Sequence, residues 1–246
     1  MAWDRASDAE MLPFLQSLMY AGIEVVPSGI TDYYRFFKDT WDNYRLEIAS
    51  FNGIWQGRME NIFDMEQRNT LAILTREIID HAAEARCKNI VFDCARNRLR
   101  PVDANMDKVN AWFKELGDYA AAKGTVLAVE ACPATLGTNF INTVHESFEY
   151  VKRIGSPGLK VNADFGALLE NQEDVNDIIS NLALVNQVQI SETQLLPIRE
   201  RPEHQKLAEL LKKNDFQGFV SVEMQNPGNL ETVKNVARYI AGVFNI

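Results

Sequence analysis

Four apolar segments in the second half of the chain each end in a carboxylate or an amide side chain, and this repeat constrains the fold. The segments lie at residues 125–130, 159–164, 184–192 and 219–223. The polar residues at or near their ends are Glu130, Asp164, Gln189 and Glu223, spaced 34, 25 and 34 residues apart. Each step is the length of a strand plus a helix, which indicates a parallel sheet of the α/β class. Because α/β barrels carry their chemistry at the carboxyl ends of their strands, we expect these four side chains to converge.

The length and charge of the chain exclude several classes of protein. Its 246 residues, 46% hydrophobic and 24% charged, suit one α/β domain spanning residues 1–246. The net charge of −9 argues against binding to a phosphate backbone, so no nucleic-acid partner is expected. No apolar run of membrane-span length and no signal peptide are recognised, and three cysteines are read as reduced thiols. We therefore expect a cytoplasmic protein that does not bind a membrane.

The sequence predicts seven strands, whereas a closed α/β barrel of the common kind has eight. The first helix is predicted from Asp8 up to Gly22, which ends it, and the first strand follows at residues 23–27. No strand is recognised ahead of Trp3. Unpaired strand edges on both sides of such a gap invite pairing with another chain. We therefore expect either an open seam between residues 23–27 and 219–223 or a partner chain that covers it, as in a homo-oligomer.

Oxygen donors at the four strand ends match the ligands of a hard divalent cation. Three carboxylates and one amide suit Mg²⁺ or Mn²⁺, whereas zinc prefers histidine or cysteine, and the three histidines lie outside these segments. Each of the four residues, taken alone, is more often a capped or ion-paired strand end. Burying three like charges costs several kcal/mol unless a cation neutralises them. The four groups together therefore favour a metal site.

Short stretches along nearly the whole chain carry a family resemblance through their order and spacing rather than through any single motif. They are Ala2-Trp-Asp4, Gly22-Ile-Glu-Val-Val-Pro27, Asn97-Arg98, Val129-Glu130, Gly137-Thr-Asn-Phe-Ile-Asn-Thr143, Asp164-Phe-Gly166, Gln189-Ile-Ser-Glu192 and Gly218-Phe-Val-Ser-Val-Glu223. With these stretches the chain resembles the xylose isomerase-like TIM-barrel superfamily, the group of sugar phosphate isomerases and epimerases. The resemblance implies a TIM barrel that lacks the first β-strand, because that strand leads directly into the Trp-Asp segment in the family.

The resemblance also implies a divalent metal held by Glu130, Asp164, Gln189 and Glu223. Many relatives have His-x-His where this chain has Gln187-Val-Gln189, and hydroxypyruvate isomerases have a similar glutamine at the second place. Relatives often carry a histidine three residues after the aspartate, where this chain has Ala167. Both departures fall on positions that hold the sugar in relatives. The absence of several metal-bound histidines argues against nuclease activity.

The reaction that these residues predict is proton transfer beside a carbonyl. Glu130 and Glu223, on opposite sides of a hydroxy-ketone or hydroxy-aldehyde, are the predicted catalytic pair. One acting alone would isomerise the substrate, and the two acting in turn would epimerise it, with a metal stabilising the enediolate. The substrate is expected to be a small carbohydrate-like molecule: a sugar, a sugar phosphate or a hydroxy-keto acid. The candidate substrate-binding residues are Asn97, Arg98, Gln187, Glu192 and Trp55.

Several of these candidates have a second interpretation. Arg98 is predicted to bind a substrate carboxylate or phosphate, or else to form an exposed ion pair. Glu192 is a candidate for orienting Gln189, and Trp55 either stacks on a sugar or packs in the core. His204 begins a helix and is expected at the surface or as a cap. A second class of function also fits the sequence: a barrel that has lost catalysis and acts as a binding or interaction protein.

Overall fold

Seven parallel strands form one sheet in the computed structural model, which describes residues 2–244. The order across the sheet is β1-β2-β3-β4-β5-β6-β7, so every strand lies beside its neighbour in sequence. The strands are Gly22–Val25 (β1), Glu47–Phe51 (β2), Ile90–Phe92 (β3), Leu127–Glu130 (β4), Leu159–Asp164 (β5), Val185–Ile190 (β6) and Phe219–Val222 (β7). This sheet is a nearly closed barrel surrounded by helices, as the strand–helix spacing predicts.

Helices connect consecutive strands, as parallel pairing requires. They are Asp8–Ser17 (α1), Tyr33–Tyr44 (α2), Met65–Glu84 (α3), Met106–Lys123 (α4), Val144–Ile154 (α5), Phe165–Glu170 (α6), Val175–Ser180 (α7), Pro202–Lys213 (α8) and Leu230–Phe244 (α9). None of the helices within residues 2–244 is long and apolar enough to cross a membrane.

The wall formed by β4, β5 and β6 is buried almost throughout. Every residue of β4 is buried, and β5 and β6 each have a single half-buried residue. The turn into β5 is tight, because a Cβ added to Gly158 would lie 2.1 Å from the carbonyl oxygen of Gly117. Strands buried on both faces are typical of parallel sheets. This wall fixes the direction in which its inward-facing polar side chains point.

The opposite side of the sheet is open between β1 and β7, which confirms the predicted seam. These two strands are the edges of the sheet and are not paired with each other. All four residues of β7 and three of the four in β1 are only half-buried. A cavity of about 770 Å³ runs along the seam, and α1 and α9 line its outer side. The outer side is held together by Lys234 and Glu10, whose charged atoms are 2.6 Å apart, and by the Tyr20 hydroxyl, which donates to the Ala237 carbonyl at 3.0 Å.

The prediction that Gly22 ends the first helix is wrong. Helix α1 ends at Ser17, and Met19 adopts a left-handed conformation with φ of 61°. Gly22 is instead the first residue of β1, where it pairs with Glu47 of β2. A Cβ at this position would lie 2.8 Å from the Glu47 carbonyl oxygen, so the close approach of two strands explains the glycine.

The start of α8 also differs from expectation. The prediction that His204 lies at the surface is wrong, because its side chain is fully buried. Its ring packs edge-on against Phe165 at 4.7 Å, and its Nδ1 lies 3.0 Å from the Tyr239 hydroxyl. His204 therefore anchors α8 to α6 and α9.

Candidate functional site

The four strand-end residues lie on neighbouring strands of the same sheet, at its carboxyl edge. Glu130 and Asp164 are the last residues of β4 and β5, Gln189 is the last but one of β6, and Glu223 directly follows β7. Asp164 is in register with Gln189, and Gln189 is in register with Ser221 of β7. Glu223 also lines the seam cavity. The inward side chains of the closed wall therefore lie beside the seam at the carboxyl ends of the strands.

Asn162 of β5 links the carboxylate of β4 to the amide of β6. Its Nδ2 donates to Glu130 Oε2 at 2.6 Å and also to Gln189 Oε1. All three side chains are buried, so these hydrogen bonds satisfy groups that water cannot reach. Asn162 Oδ1 has no partner among the described residues, and it is thus an acceptor left available inside the site.

Glu24 of β1 is the residue that organises the opposite side of this network. Its two carboxylate oxygens accept hydrogen bonds from Gln187 Nε2 and Gln189 Nε2, each at 2.9 Å. Burial raises the pKa of Glu24 to about 7, although hydrogen bonds from Ser221 and Gln189 counteract this effect. Because both amide NH₂ groups point toward Glu24, the Gln189 oxygen is turned toward the wall of β4 and β5.

Asp164 has a structural role as well as a position in the site. Its Oδ1 accepts the backbone N–H of Ala167 at 2.6 Å and so caps α6, and its Oδ2 accepts the Ser191 hydroxyl. Burial raises the pKa of Asp164 to about 6, because the hydrogen bonds that favour the charged form do not fully offset desolvation.

Glu130 and Glu223 are the two most strongly perturbed carboxyl groups in this region. Burial raises the pKa of Glu130 well above its usual range, and the nearby charges of Glu223 and Asp164 raise it further. The pKa of Glu223 is likewise raised well above its usual range, first by desolvation and then by Asp164 and Glu24. Asn52 stabilises the charged form of Glu223 by donating to its Oε1 at 2.8 Å. Mutual repulsion of this kind separates the protonation states of a pair, which suits one acid and one base.

Arg98 and Asp93 form a second charged group beside the first. Arg98 is fully buried, its Nη1 donates to the Glu130 carbonyl oxygen at 2.8 Å, and its guanidinium lies 5.3 Å from the centre of the Phe92 ring. Burial raises the pKa of Asp93, while the charge of Arg98 acts in the opposite direction. Arg98 is not an exposed ion pair, and it does not line the cavity, although its Nε and Nη2 have no partner among the described residues.

Two of the predicted substrate-binding residues, Gln187 and Asn97, use their side-chain amides in hydrogen bonds within the protein. Gln187 donates to Glu24 and to the Ser221 hydroxyl, and Asn97 donates to the backbone carbonyls of Arg58 and Glu60. Their amide groups therefore fix β6 and the loop after β2.

Two other candidates lie away from the network. Trp55 is buried, and its indole N–H donates to the Thr75 hydroxyl at 3.2 Å, although part of the residue borders the cavity. Glu192 forms no side-chain hydrogen bond with Gln189. It forms a bidentate ion pair with Arg201 at 2.7 and 2.6 Å, which lowers the pKa of Glu192 against the effect of its burial. The predicted role of Glu192 in orienting Gln189 is thus performed by Glu24.

The side chains at the strand ends have the oxygen donors that a hard divalent cation prefers. Two of them, Gln189 and Asp164, are however engaged in hydrogen bonds with the protein. Glu130, Asp164, Gln189 and Glu223 provide oxygen donors alone, and their like charges disfavour ionisation without a cation. Within residues 2–244, however, no three His, Cys, Asp or Glu side chains are grouped closely enough to hold an ion. The hydrogen bonds of Gln189 with Asn162, and of Asp164 with Ser191, occupy the oxygens that would have to turn toward it.

Sequence reasoning overlooked Glu24, Asn162 and Asp93. A weak signal existed, since Glu24 and Asn162 are polar residues inside apolar strands, where they must face the barrel interior. Their partners could not be inferred, because Gln187 and Gln189 lie more than 160 positions from Glu24 in the chain.

Comparison with known proteins agrees with the observed fold. A family profile described as xylose isomerase-like TIM barrel matches residues 15–242. No curated protein sequence matches the chain. A solved structure of 3-keto-D-glucoside 4-epimerase from E. coli is similar, with a TM-score of 0.80 and 18% identity, over 98% of this chain and 97% of that one.

Two further solved structures have the same fold. D-psicose 3-epimerase with D-tagatose from Clostridium cellulolyticum H10 has a TM-score of 0.79 and 13% identity, over 98% of this chain and 95% of that one. The structure of an AP endonuclease, family 2, from Brucella melitensis has a TM-score of 0.74 and 17% identity, over 95% of this chain and 92% of that one. At these identities the structural likeness establishes the fold, and the profile match over most of the chain establishes the family. The chain belongs to the xylose isomerase-like TIM barrel family.

Proposed function

We propose that the protein is an isomerase or epimerase of a small carbohydrate or hydroxy-keto acid that transfers a proton beside a carbonyl. The observation that carries the proposal is the pair Glu130 and Glu223, two carboxyl groups of raised pKa at the carboxyl edge of the barrel. Several structures of the same fold are described as sugar epimerases, which supports this class of substrate.

The proton chemistry follows from the different surroundings of the two glutamates. In its ionised form, either glutamate removes the hydrogen from a hydroxyl-bearing carbon next to the carbonyl, and the electron pair moves onto the carbonyl oxygen to give an enediolate. The same glutamate isomerises the substrate if it returns the proton to the former carbonyl carbon while the hydroxyl proton on the neighbouring oxygen passes to the former carbonyl oxygen, so that the carbonyl moves to the original carbon. The other glutamate, in its protonated form, inverts the original carbon if it delivers a proton from the opposite face. Asn52 holds Glu223, and Asn162 holds Glu130, for these transfers.

A divalent cation, Mg²⁺ or Mn²⁺ rather than Zn²⁺, completes the proposal. The residues that would hold it are Glu130, Asp164, Gln189 and Glu223. When bound, such an ion supplies positive charge that offsets the repulsion among buried carboxylates and polarises substrate oxygens. Glu24 contributes by turning the Gln189 oxygen away from itself.

The test is loss of carbon-bound hydrogen to solvent. Purified protein with Mn²⁺ in deuterated water is incubated with a panel of ketoses, aldoses and hydroxy-keto acids, and exchange is followed by proton NMR. We expect metal-dependent exchange of the hydrogen beside the carbonyl of at least one compound. Glu223→Gln and Glu130→Gln should each lower the rate about 10²–10⁴-fold, the usual contribution of a general base.

The matched control is Glu209→Gln, the same chemical change at an exposed position on α8. It should leave the exchange rate unchanged. Full exchange in both single variants would refute the assigned pair. If folded, metal-loaded wild-type protein gave no exchange with any compound, the hypothesis of a barrel that acts as a binding or interaction protein would replace this one.

A further inference from the structure

Helix α2 lies on the outside of the barrel and leaves one long side uncovered. Its inner side packs through Tyr33, whose ring stacks on His81 of α3 at 4.1 Å, and within α2 only Thr40 is fully buried. The outer side carries two exposed aromatic residues, Tyr34 with 54% and Trp41 with 37% of the side chain accessible. Tryptophan and tyrosine are among the residue types that contribute most to protein interfaces. The outer side of α2 is therefore a candidate contact surface.

The two aromatic residues form one row along the helix. An α-helix turns by about 100° and rises by about 1.5 Å per residue, so residues seven apart lie about 20° apart around the axis and about 10 Å apart along it. Tyr34 and Trp41 have this spacing, and so do the exposed residues Arg35 and Asp42. Because Arg35 is one position after Tyr34, its row lies about 100° further round the helix. The outer side of α2 thus has an aromatic row beside a charged row.

Four exposed charged residues on this side of α2 have no net charge together. Arg35 pairs with Asp39 at 3.5 Å, and Lys38 pairs with Asp42, in each case one helical turn along. The whole chain has a net charge of −9, so two copies repel each other on average. The outer side of α2 is a surface on which two copies can approach without this repulsion.

A twofold axis perpendicular to α2 makes this surface complementary to itself. When two copies of a helix meet antiparallel across such an axis, each row of one copy faces the same row of the other in reverse order. With the axis near Lys38, Tyr34 of one copy lies opposite Trp41 of the other. Arg35 then lies opposite Asp42. Each favourable pair occurs twice in the dimer, and an unrelated partner would not require this reversed pattern, so the pattern favours a second copy.

We propose that the outer side of α2 is the contact surface of a symmetric homodimer, in which the two copies of the helix run antiparallel. The contact is small, because a 12-residue helix is about 18 Å long and a single pair of such helices buries less than the roughly 1,200–2,000 Å² of a standard interface. We therefore expect a reversible dimer with a Kd of about 1–100 μM. This inference does not depend on the proposed reaction.

Sedimentation velocity of the whole protein between about 1 and about 500 μM tests the dimer. The wild-type protein should change from monomer to dimer over this range. Trp41→Ala should raise the Kd about a hundredfold, because the ring is lost twice in each dimer. Leu136→Ala removes another exposed apolar side chain, in the loop after β4, and should leave the Kd unchanged. A wild-type protein that stays monomeric at the highest concentration, or a dimer that Trp41→Ala does not weaken, would overturn the proposal.

An exchange of charges tests the antiparallel register. Arg35→Asp places two acidic groups opposite each other at both ends of the contact, and Asp42→Arg places two basic groups there. Each variant alone should dimerise about tenfold more weakly than the wild type. An equimolar mixture restores opposite charges at both ends, so the mixed dimer should form with nearly the wild-type Kd. A mixture that associates no more tightly than the single variants would contradict the antiparallel contact.

Urea unfolding checks that the variants remain folded. Arg35, Trp41 and Asp42 are all exposed, so their substitution should leave the unfolding midpoint close to that of the wild type. A change in dimerisation without a change in the midpoint then reports on the contact itself.

Discussion

The closed wall of β4, β5 and β6 and the seam between β1 and β7 are built from similar residues but differ in packing. Val188 of β6 and Val220 of β7 are directly in register, yet Val188 is fully buried and Val220 is half-buried. The difference arises because each wall strand has two neighbours, whereas each seam strand has one. A rigid wall can hold Glu130, Asp164 and Gln189 in fixed directions, and an open seam leaves room for another element. Rigid elements position functional groups more accurately than mobile ones.

The two regions are joined by Glu24. Although it belongs to the seam strand β1, its carboxylate is held by Gln187 and Gln189 of the closed wall. Changes at Glu24 should therefore affect both regions, whereas changes elsewhere in the seam should spare the wall.

The largest effect on stability is expected from Gly158→Ala, at the turn that leads into β5 of the wall. The new Cβ would lie 2.1 Å from the Gly117 carbonyl oxygen and 2.6 Å from the Ala121 nitrogen, both backbone atoms that cannot yield without moving α4. We expect a loss of about 4 kcal/mol or more, or failure to fold. Urea unfolding followed by circular dichroism measures this. A loss below about 1 kcal/mol would show that the contact of α4 with β5 is loose.

The next effect concerns pH and Glu24. The pKa of Glu24 is about 7 in the folded protein, above its ordinary value of 4.5, so the unfolded chain releases a proton in this range that the folded protein retains. The stability of the metal-free protein should therefore fall as pH rises from about 4.5 to 7, by up to about 3 kcal/mol from this group. Glu24→Gln should flatten the decline, while Glu209→Gln should not. An unchanged slope in Glu24→Gln would contradict the raised pKa.

Matched substitutions in register test the packing difference directly. Val188→Ala should cost about 2 to 3 kcal/mol, because it removes buried methyl groups from a site that cannot collapse. Val220→Ala should cost about 1 kcal/mol, since the side chain already borders a cavity. Equal losses in urea unfolding would mean that the seam is as well packed as the wall.

The smallest effect is expected from Gly242→Ala in α9, outside the wall. A Cβ at this position meets no atom within 4 Å. Alanine should stabilise the helix by up to about 1 kcal/mol, because it loses less conformational entropy than glycine on folding. A destabilised variant would indicate that α9 contacts something at this face in solution.

The sequence was sufficient to predict the parallel sheet and the seam. The regular spacing of the apolar β-branched runs indicates strand–helix units, and their number is one fewer than a closed eight-stranded barrel has. It was not sufficient for the ends of α1 or for the position of His204. Helix α1 stops at Ser17 since Met19 turns left-handed, and nothing in the residue types there requires this. His204 is buried because α8 packs its first turn against Phe165 and Tyr239, contacts that come from distant parts of the chain. The role of Glu24 was missed for the same reason.

The most direct test of the proposed site is calorimetric titration of dialysed protein with Mn²⁺, because the carboxylates of Glu130, Asp164 and Glu223 are proposed to share one cation with the Gln189 amide. We expect about one ion to bind per chain at pH 7 and binding to release protons, since the pKa values of Glu130 and Glu223 are raised. Asp164→Asn, which keeps hydrogen-bonding atoms for Ala167 and Ser191, should weaken or abolish binding, while Glu209→Gln should not. A folded wild-type protein that binds neither Mn²⁺ nor Mg²⁺ would contradict the metal site and the reaction proposed with it.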